Sequence, residues 1–137
     1  MSLRLDAVRR LLGEAQLPTA DLTEAHLESF LGRGTGAAPD AVVGLEIYPP
    51  VALLRSLAVK VDARGHGLGS ALLADAERYA RERDVKEIYL LTATAEEFFA
   101  NAGYERVPRD SAPAAIRATQ EFSSLCPASS ALMRKRL

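Results

Sequence analysis

Leu5, Val8, Leu11, Leu12 and Ala15 fall on one face at helical spacing, with Arg4, Arg9, Arg10 and Glu14 opposite. That pattern predicts an amphipathic helix over 3–15, ended by Pro18. A second short helix is predicted over 24–31, turning Leu27, Phe30 and Leu31 inward. Asp21 and Glu24 stand at capping-pair spacing before it. The glycine-rich stretch 32–40 reads as a hairpin connection of uneven length. Beyond it the apolar positions run together: 41–48 and 51–61 read as strands that Pro49-Pro50 joins into an antiparallel hairpin. Leu68, Leu72, Ala76 and Tyr79 with Ala80 restore the helical stripe, to about Arg83. Then come a strand over 86–92, a short helix over 95–102 stopped by Gly103, and a strand over 104–107. A helix over 114–122 and a closing edge strand over 131–137 complete the chain. Strand, helix and strand across 53–92 make a right-handed crossover, so those strands are parallel neighbours. The expected class is α/β (α+β), a mixed sheet with helices over it.

Composition narrows the reading. The chain has 137 residues, 48% hydrophobic and 26% charged, which fits one domain over 1–137 with a real core. A net charge of −1 gives no electrostatic footprint for nucleic acid or an anionic membrane. No apolar run approaches a membrane span, and Met-Ser-Leu-Arg-Leu-Asp is not the start of a secretory signal. The single cysteine, Cys126, excludes an internal disulfide and fits a reducing cytoplasm. With two histidines beside it, no structural metal site is expected.

The stretch with chemistry in it is 59–80. An apolar strand ends at Asp62, Gly65, Gly67 and Gly69 make a turn, and a helix starts. Amides at a helix start point outward unpaired, and the helix dipole favours an anion there. Glycines permit positive φ and close approach of a phosphate, and Arg64 adds fixed positive charge. A phosphate-binding P-loop is excluded because no Lys-Ser/Thr follows the last glycine. A dinucleotide fold fits poorly, since Ser70 stands where the sixth-position glycine belongs and no acid follows at the next strand end.

Arg64, Gly67 and Gly69 spell Arg-x-x-Gly-x-Gly, which resembles the acetyl-CoA pyrophosphate loop of the GCN5-related N-acetyltransferase (GNAT) superfamily. Leu53-Leu54-Arg55-Ser56-Leu57-Ala58-Val59 resembles that family's fourth strand, 86–92 its fifth, and 95–104 its late helix with the closing Gly-aromatic pair. The resemblance implies a mostly antiparallel mixed sheet whose central parallel strands splay, with acetyl-CoA as co-substrate. It implies cofactor contacts from Leu57, Ala58 and Val59, and from Arg64, Gly65, His66, Gly67, Leu68, Gly69 and Ser70. Thr92 occupies the place of a pantetheine-binding asparagine. Phe99 occupies the place of a tyrosine that protonates the departing thiolate, so that acid is missing. The family's usual first strand has no clear counterpart. The tail over 112–133, with 44–48 and 54–59, looks like the small acetyltransferases encoded with bacterial arsenic-resistance genes. That implies a cytoplasmic bacterial enzyme with a small-molecule amine as acceptor, an arsenic-bearing amino acid analogue among the candidates.

Residue types suggest roles on the acceptor side. The backbone N–H near Leu57 would polarise the acetyl carbonyl. Glu46, alone in an apolar strand, is the first choice for proton acceptor; the other reading is a solvated strand-face glutamate. Arg55 would clamp a substrate anion or else pair with Glu46 across the hairpin. Ser56, Thr94 and Arg117 are further candidates for the acceptor pocket. His26 and Cys126 read as packing residues, since one thiol cannot chelate arsenic. The competing function is a CoA-binding sensor without turnover. A homodimer through an open sheet edge is compatible with the sequence.

Overall fold

The computed structural model describes residues 2–137. Six strands, β1 (Phe30–Gly34), β2 (Pro39–Tyr48), β3 (Val51–Val59), β4 (Glu87–Thr92), β5 (Glu105–Val107) and β6 (Ala131–Arg136), form one sheet in the order β1-β2-β3-β4-β6-β5. Only the β3–β4 pair is parallel; the others are antiparallel. The α-helices are α1 (Leu5–Glu14), α2 (Leu68–Arg81), α3 (Glu96–Asn101) and α4 (Ala114–Arg117), and a π-helical turn over Glu121–Leu125 follows α4.

Alternation along β2 assigns the two faces. Ala41, Val43 and Leu45 pack with Leu72, Leu73 and Ala76 of α2 and Phe99 of α3. On the other face Val42, Ala58 and Phe30 meet Val8, Leu11 and Leu12 of α1. Further along that face, Val51, Leu53, Tyr89 and Leu132 meet Ile116 of α4. The second face therefore carries two separate apolar clusters with a gap between them, and Arg55 and Glu46 project from the sheet on that same face.

The hairpin, the crossover and the mixed sheet agree with the sequence expectation. Three elements differ. Residues 24–31 are helical only over a four-residue 3₁₀ helix, His26–Ser29, which leads into β1, whose Phe30 pairs with Gly44. A Cβ on Gly44 would stand 2.3 Å from the Phe30 ring, so the glycine makes the seat and tertiary pairing overrides the local helical pattern. The helix predicted over 114–122 stops at Arg117, where the Thr119 hydroxyl donates back to the Ile116 carbonyl at 2.7 Å. The last strand is interior: β6 lies between β4 and β5, which explains its buried Leu132 and Met133. Among the described residues no strand precedes α1.

Candidate active site

β3 and β4 pair only at Val51↔Glu87, Ala52↔Ile88 and Leu53↔Tyr89. Past Leu53 they part. β4 continues alongside β6 through Leu90, Leu91 and Thr92, while β3 keeps only β2 beside it. β3 also carries a bulge, because Ser56 and Leu57 lie opposite the single residue Val43 between the pairs Gly44↔Arg55 and Val42↔Ala58. Ser56 there has φ 61, a strained value for a serine in a strand. The stretch Leu57, Ala58 and Val59 therefore runs with its β4 side open. That is the geometry in which strand amides are free for another partner.

At the end of β3 the chain turns through a short 3₁₀ segment, Val61–Ala63, into the glycine loop. Gly65 and Gly67 sit at φ 84 and 76, in the left-handed region, and Gly67 is the N-cap of α2. The N–H groups of residues 65–70 find no acceptor among the described residues; the first amide in the helix with one is Ala71, on the Gly67 carbonyl at 3.0 Å. No acidic side chain stands in the first turn of α2. A Cβ on Gly65 or Gly67 would meet nothing within 4 Å, so the space before the amides is open. Unpaired amides, a helix dipole and an open approach together make a cradle that fits a diphosphate. Arg64 folds back, its Nε donating to the Val59 carbonyl at 3.0 Å, which fixes the loop to the strand end. His66 and Ser70 are exposed around the cradle, and Leu68 packs against the main core.

The aromatic side chains behind the loop are arranged edge to face. Phe99 is buried, 5.8 Å from Tyr104 and 5.1 Å from Phe98. The ring beside the loop belongs to Phe98, which lies 3.6 Å from the position a Gly69 Cβ would take. Thr92 Oγ1 accepts from the Ala95 N–H at 3.0 Å and so shapes the entry to α3. Thr94 is exposed in the same turn.

Across the sheet, the gap between the two apolar clusters holds a polar island centred on Arg55. Its guanidinium donates to both oxygens of Asp21 at 2.5 and 2.8 Å, to Glu46 Oε2 at 2.8 Å, and to the Ser56 hydroxyl at 3.0 Å. It also pairs with Glu121 Oε1 at 3.0 Å. Four of its five N–H groups thus make hydrogen bonds within the protein, and Glu121 adds a charge at contact distance. The Arg55 side chain is 1% exposed, and its three carboxylate partners 5 to 11%. Burial works to raise the Asp21 carboxyl, but the hydrogen bond and charge of Arg55 outweigh it and hold Asp21 below the usual range. Glu121 goes the other way: burial pushes it up, and Cys126 and Arg55 offset only part. The Cys126 thiol donates to Glu121 Oε2 at 2.7 Å and is itself pushed up to about 12, first by burial and then by that carboxylate. Tyr48 donates to Glu46 Oε1 at 2.6 Å.

Two spaces border this island. A small cavity of about 50 Å³ lies at the parting of the strands, lined by Leu54 and Ser56 of β3, Leu91 of β4, and Glu121 and Cys126. A wider groove of about 270 Å³ opens on the other side of Glu46, along His26, Ser29 and Tyr48. Arg117 stands elsewhere, donating to the carbonyls of Asp110 and Ala112. Of the residues singled out from sequence, the structure brings Glu46, Arg55 and Ser56 together and leaves Arg117 apart. It adds Asp21 and Glu121, which no motif marked. The Asp21–Glu24 spacing suggested a helix cap, yet the Asp21 carboxylate is bound by Arg55 instead.

A family model described as acetyltransferase (GNAT) family matches residues 16–107. No curated protein matches the chain in sequence. Among solved structures the chain is similar to N-acetylglutamate synthase from Neisseria gonorrhoeae complexed with coenzyme A and N-acetyl-glutamate, at 22% identity and TM-score 0.79, covering 97% of this chain and 32% of that one. The chain thus spans about a third of that synthase's length. It is also similar to PaiA N-acetyltransferase from Thermoplasma acidophilum in complex with coenzyme A, at 16% identity and TM-score 0.65, covering 100% and 97% of the two chains. Tetrahymena GCN5 gives 14% identity and TM-score 0.70, over 96% and 85%. At these identities the likeness is one of fold.

Proposed function

Because the chain belongs to the acetyltransferase (GNAT) family, we propose that it is an acetyl-CoA-dependent N-acetyltransferase acting on the amine of a small molecule. The observation that carries this reading is the row of unpaired amides over 65–70 placed at the mouth of the β3–β4 parting. In this reading those amides and Arg64 hold the diphosphate of coenzyme A. The open edge of β3 at Leu57, Ala58 and Val59 lines the place of the acetyl arm, with Thr92 and Phe98 along the way. Acetyl-CoA supplies an activated acetyl carbonyl. The protein's share is to position the amine against it, to polarise its oxygen through a strand amide near Leu57, and to remove a proton from the nitrogen.

The acceptor side supports a cationic amine. Asp21, Glu46 and Glu121 outnumber Arg55, so the island is net negative and attracts an ammonium group. The resemblance of the tail to arsenic-resistance acetyltransferases extends the proposal to an arsenic-bearing amino acid analogue, in a cytoplasmic setting. A dimer through an open sheet edge belongs to the same proposal. Phe99 in place of the family's tyrosine favours one rival, a coenzyme A sensor without turnover.

Titration calorimetry with coenzyme A, followed by thiol release from acetyl-CoA across an amine panel, separates the two. The enzyme reading expects binding, and thiol release that depends on the amine. Gly67→Val, which puts a branched side chain at a left-handed position before the cradle, is expected to weaken coenzyme A binding at least about tenfold. Undiminished affinity in that variant counts against the loop assignment. Binding without turnover of any amine supports the sensor.

A further inference from the structure

Of the three carboxylates around Arg55, Glu46 and Glu121 face different spaces. Glu46 opens on the wide outer groove, with one oxygen taken by Tyr48 and the other by Arg55. Glu121 comes from the C-terminal segment and lines the small cavity where β3 and β4 part, together with Leu54, Ser56 and Leu91. At about 50 Å³ that cavity has room for a few heavy atoms, such as an amino group and its first carbons. Resting on the acetyltransferase reading, we propose that Glu121 seats the ammonium group of the acceptor and takes the proton that must leave before its nitrogen attacks.

The partners of Glu121 suit the role. Arg55 holds Oε1 at 3.0 Å and fixes the carboxylate in place. Oε2 receives only the Cys126 thiol, a weak donor that a charged ammonium displaces. The thiol, pushed up to about 12, keeps its proton and does not compete as a base near neutral pH. Burial raises Glu121, which brings a carboxylate toward the range where it accepts a proton efficiently. The charged and titratable groups around it are Arg55 from β3, Asp21 from the segment after α1, Glu46 from β2 and Cys126 from its own segment, with Arg109 facing the thiol.

The reaction then balances. The ammonium gives one proton to the Glu121 carboxylate. The freed nitrogen lone pair forms the C–N bond at the acetyl carbonyl carbon, and the C–S bond breaks. The second nitrogen proton goes to the departing thiolate, giving the free thiol of coenzyme A. Glu121 releases its proton to water.

The test uses protein labelled at the glutamate carboxyl carbons, followed by NMR across pH. Turnover is assayed in parallel with L-glutamate, n-propylamine, spermidine and 2-aminoethylphosphonate as acceptors. One glutamate carboxyl is expected to titrate above the ordinary range and to be lost in Glu121→Gln. The acid limb of the pH–kcat/KM profile, which reports the free enzyme, is expected to follow that titration. In Glu121→Gln kcat falls by about 100-fold or more, with coenzyme A affinity kept. Cys126→Ala removes a hydrogen bond to the charged carboxylate, so both the titration and the limb move to higher pH. Glu46→Gln retains the limb. The proposal is overturned if Glu121→Gln turns over with its acid limb intact, or if the limb disappears in Glu46→Gln instead. Bound coenzyme A with no turnover of any of the four amines overturns it together with the reading beneath it.

Discussion

Arg55 holds together a site that sequence shows only in fragments. The pair with Glu46 is legible, because the two residues stand on adjacent strands of a predicted hairpin. Asp21 and Glu121 are not, since they reach Arg55 from segments whose place in space follows from the whole fold. Removing the guanidinium leaves Asp21, Glu46 and Glu121 facing one another out of water. Arg55→Ala is therefore expected to lower stability by about 3–5 kcal/mol at neutral pH, measured by urea unfolding. The loss should shrink as pH falls and the carboxylates take up protons. In the wild type the two displaced carboxyls act with opposite sign. Asp21, held low, contributes stability above its unfolded value and loses it as pH falls through its folded value. Glu121, pushed up, contributes most below its unfolded value and loses that as pH rises through its folded one. A stability loss in Arg55→Ala that stays constant from acid to neutral pH would contradict this balance.

At the scale of elements, strands and helices with a strong period are readable, and those made by a tertiary partner are not. β3, α2 and β4 follow from apolar spacing and the glycine turn. β1 does not: Phe30 and Leu31 sit in a helical pattern, and only the empty seat at Gly44 reveals where Phe30 goes. Gly44→Ala puts a methyl 2.3 Å from the Phe30 ring, so the ring or the strand must move. The expected cost is about 1–3 kcal/mol, with loss of protection from hydrogen exchange concentrated in β1. Unchanged exchange in that strand would mean that Phe30 does not anchor it. On the opposite face Glu77 of α2 accepts from Tyr104 at 3.0 Å and from Lys135 at 3.0 Å. Lys135 also donates to the Ala102 carbonyl at 2.9 Å. That network ties α2, the end of α3 and β6 into one support behind the loop.

For the molecule as a whole, one asymmetry produces the site. The parallel pair lasts three residues, and the sheet then opens, because β4 follows β6 while bulged β3 stays with β2. The opening places the glycine cradle at one end and the Arg55 island at the other. The loop and the strand before it were legible, since glycine spacing reports backbone conformation directly. Of the Arg55 island only the hairpin part, Glu46, Arg55 and Ser56, was legible, because nothing local marks Asp21 and Glu121, which join it from distant segments. The central claim is that the amides of residues 65–70 receive the diphosphate of coenzyme A. Its most direct test is to titrate nitrogen-15-labelled protein with coenzyme A and follow each backbone amide. The account predicts large shifts and new exchange protection at Gly65, Gly67, Gly69 and their neighbours, at the concentrations where binding heat appears. Binding that leaves those amides unmoved would contradict it.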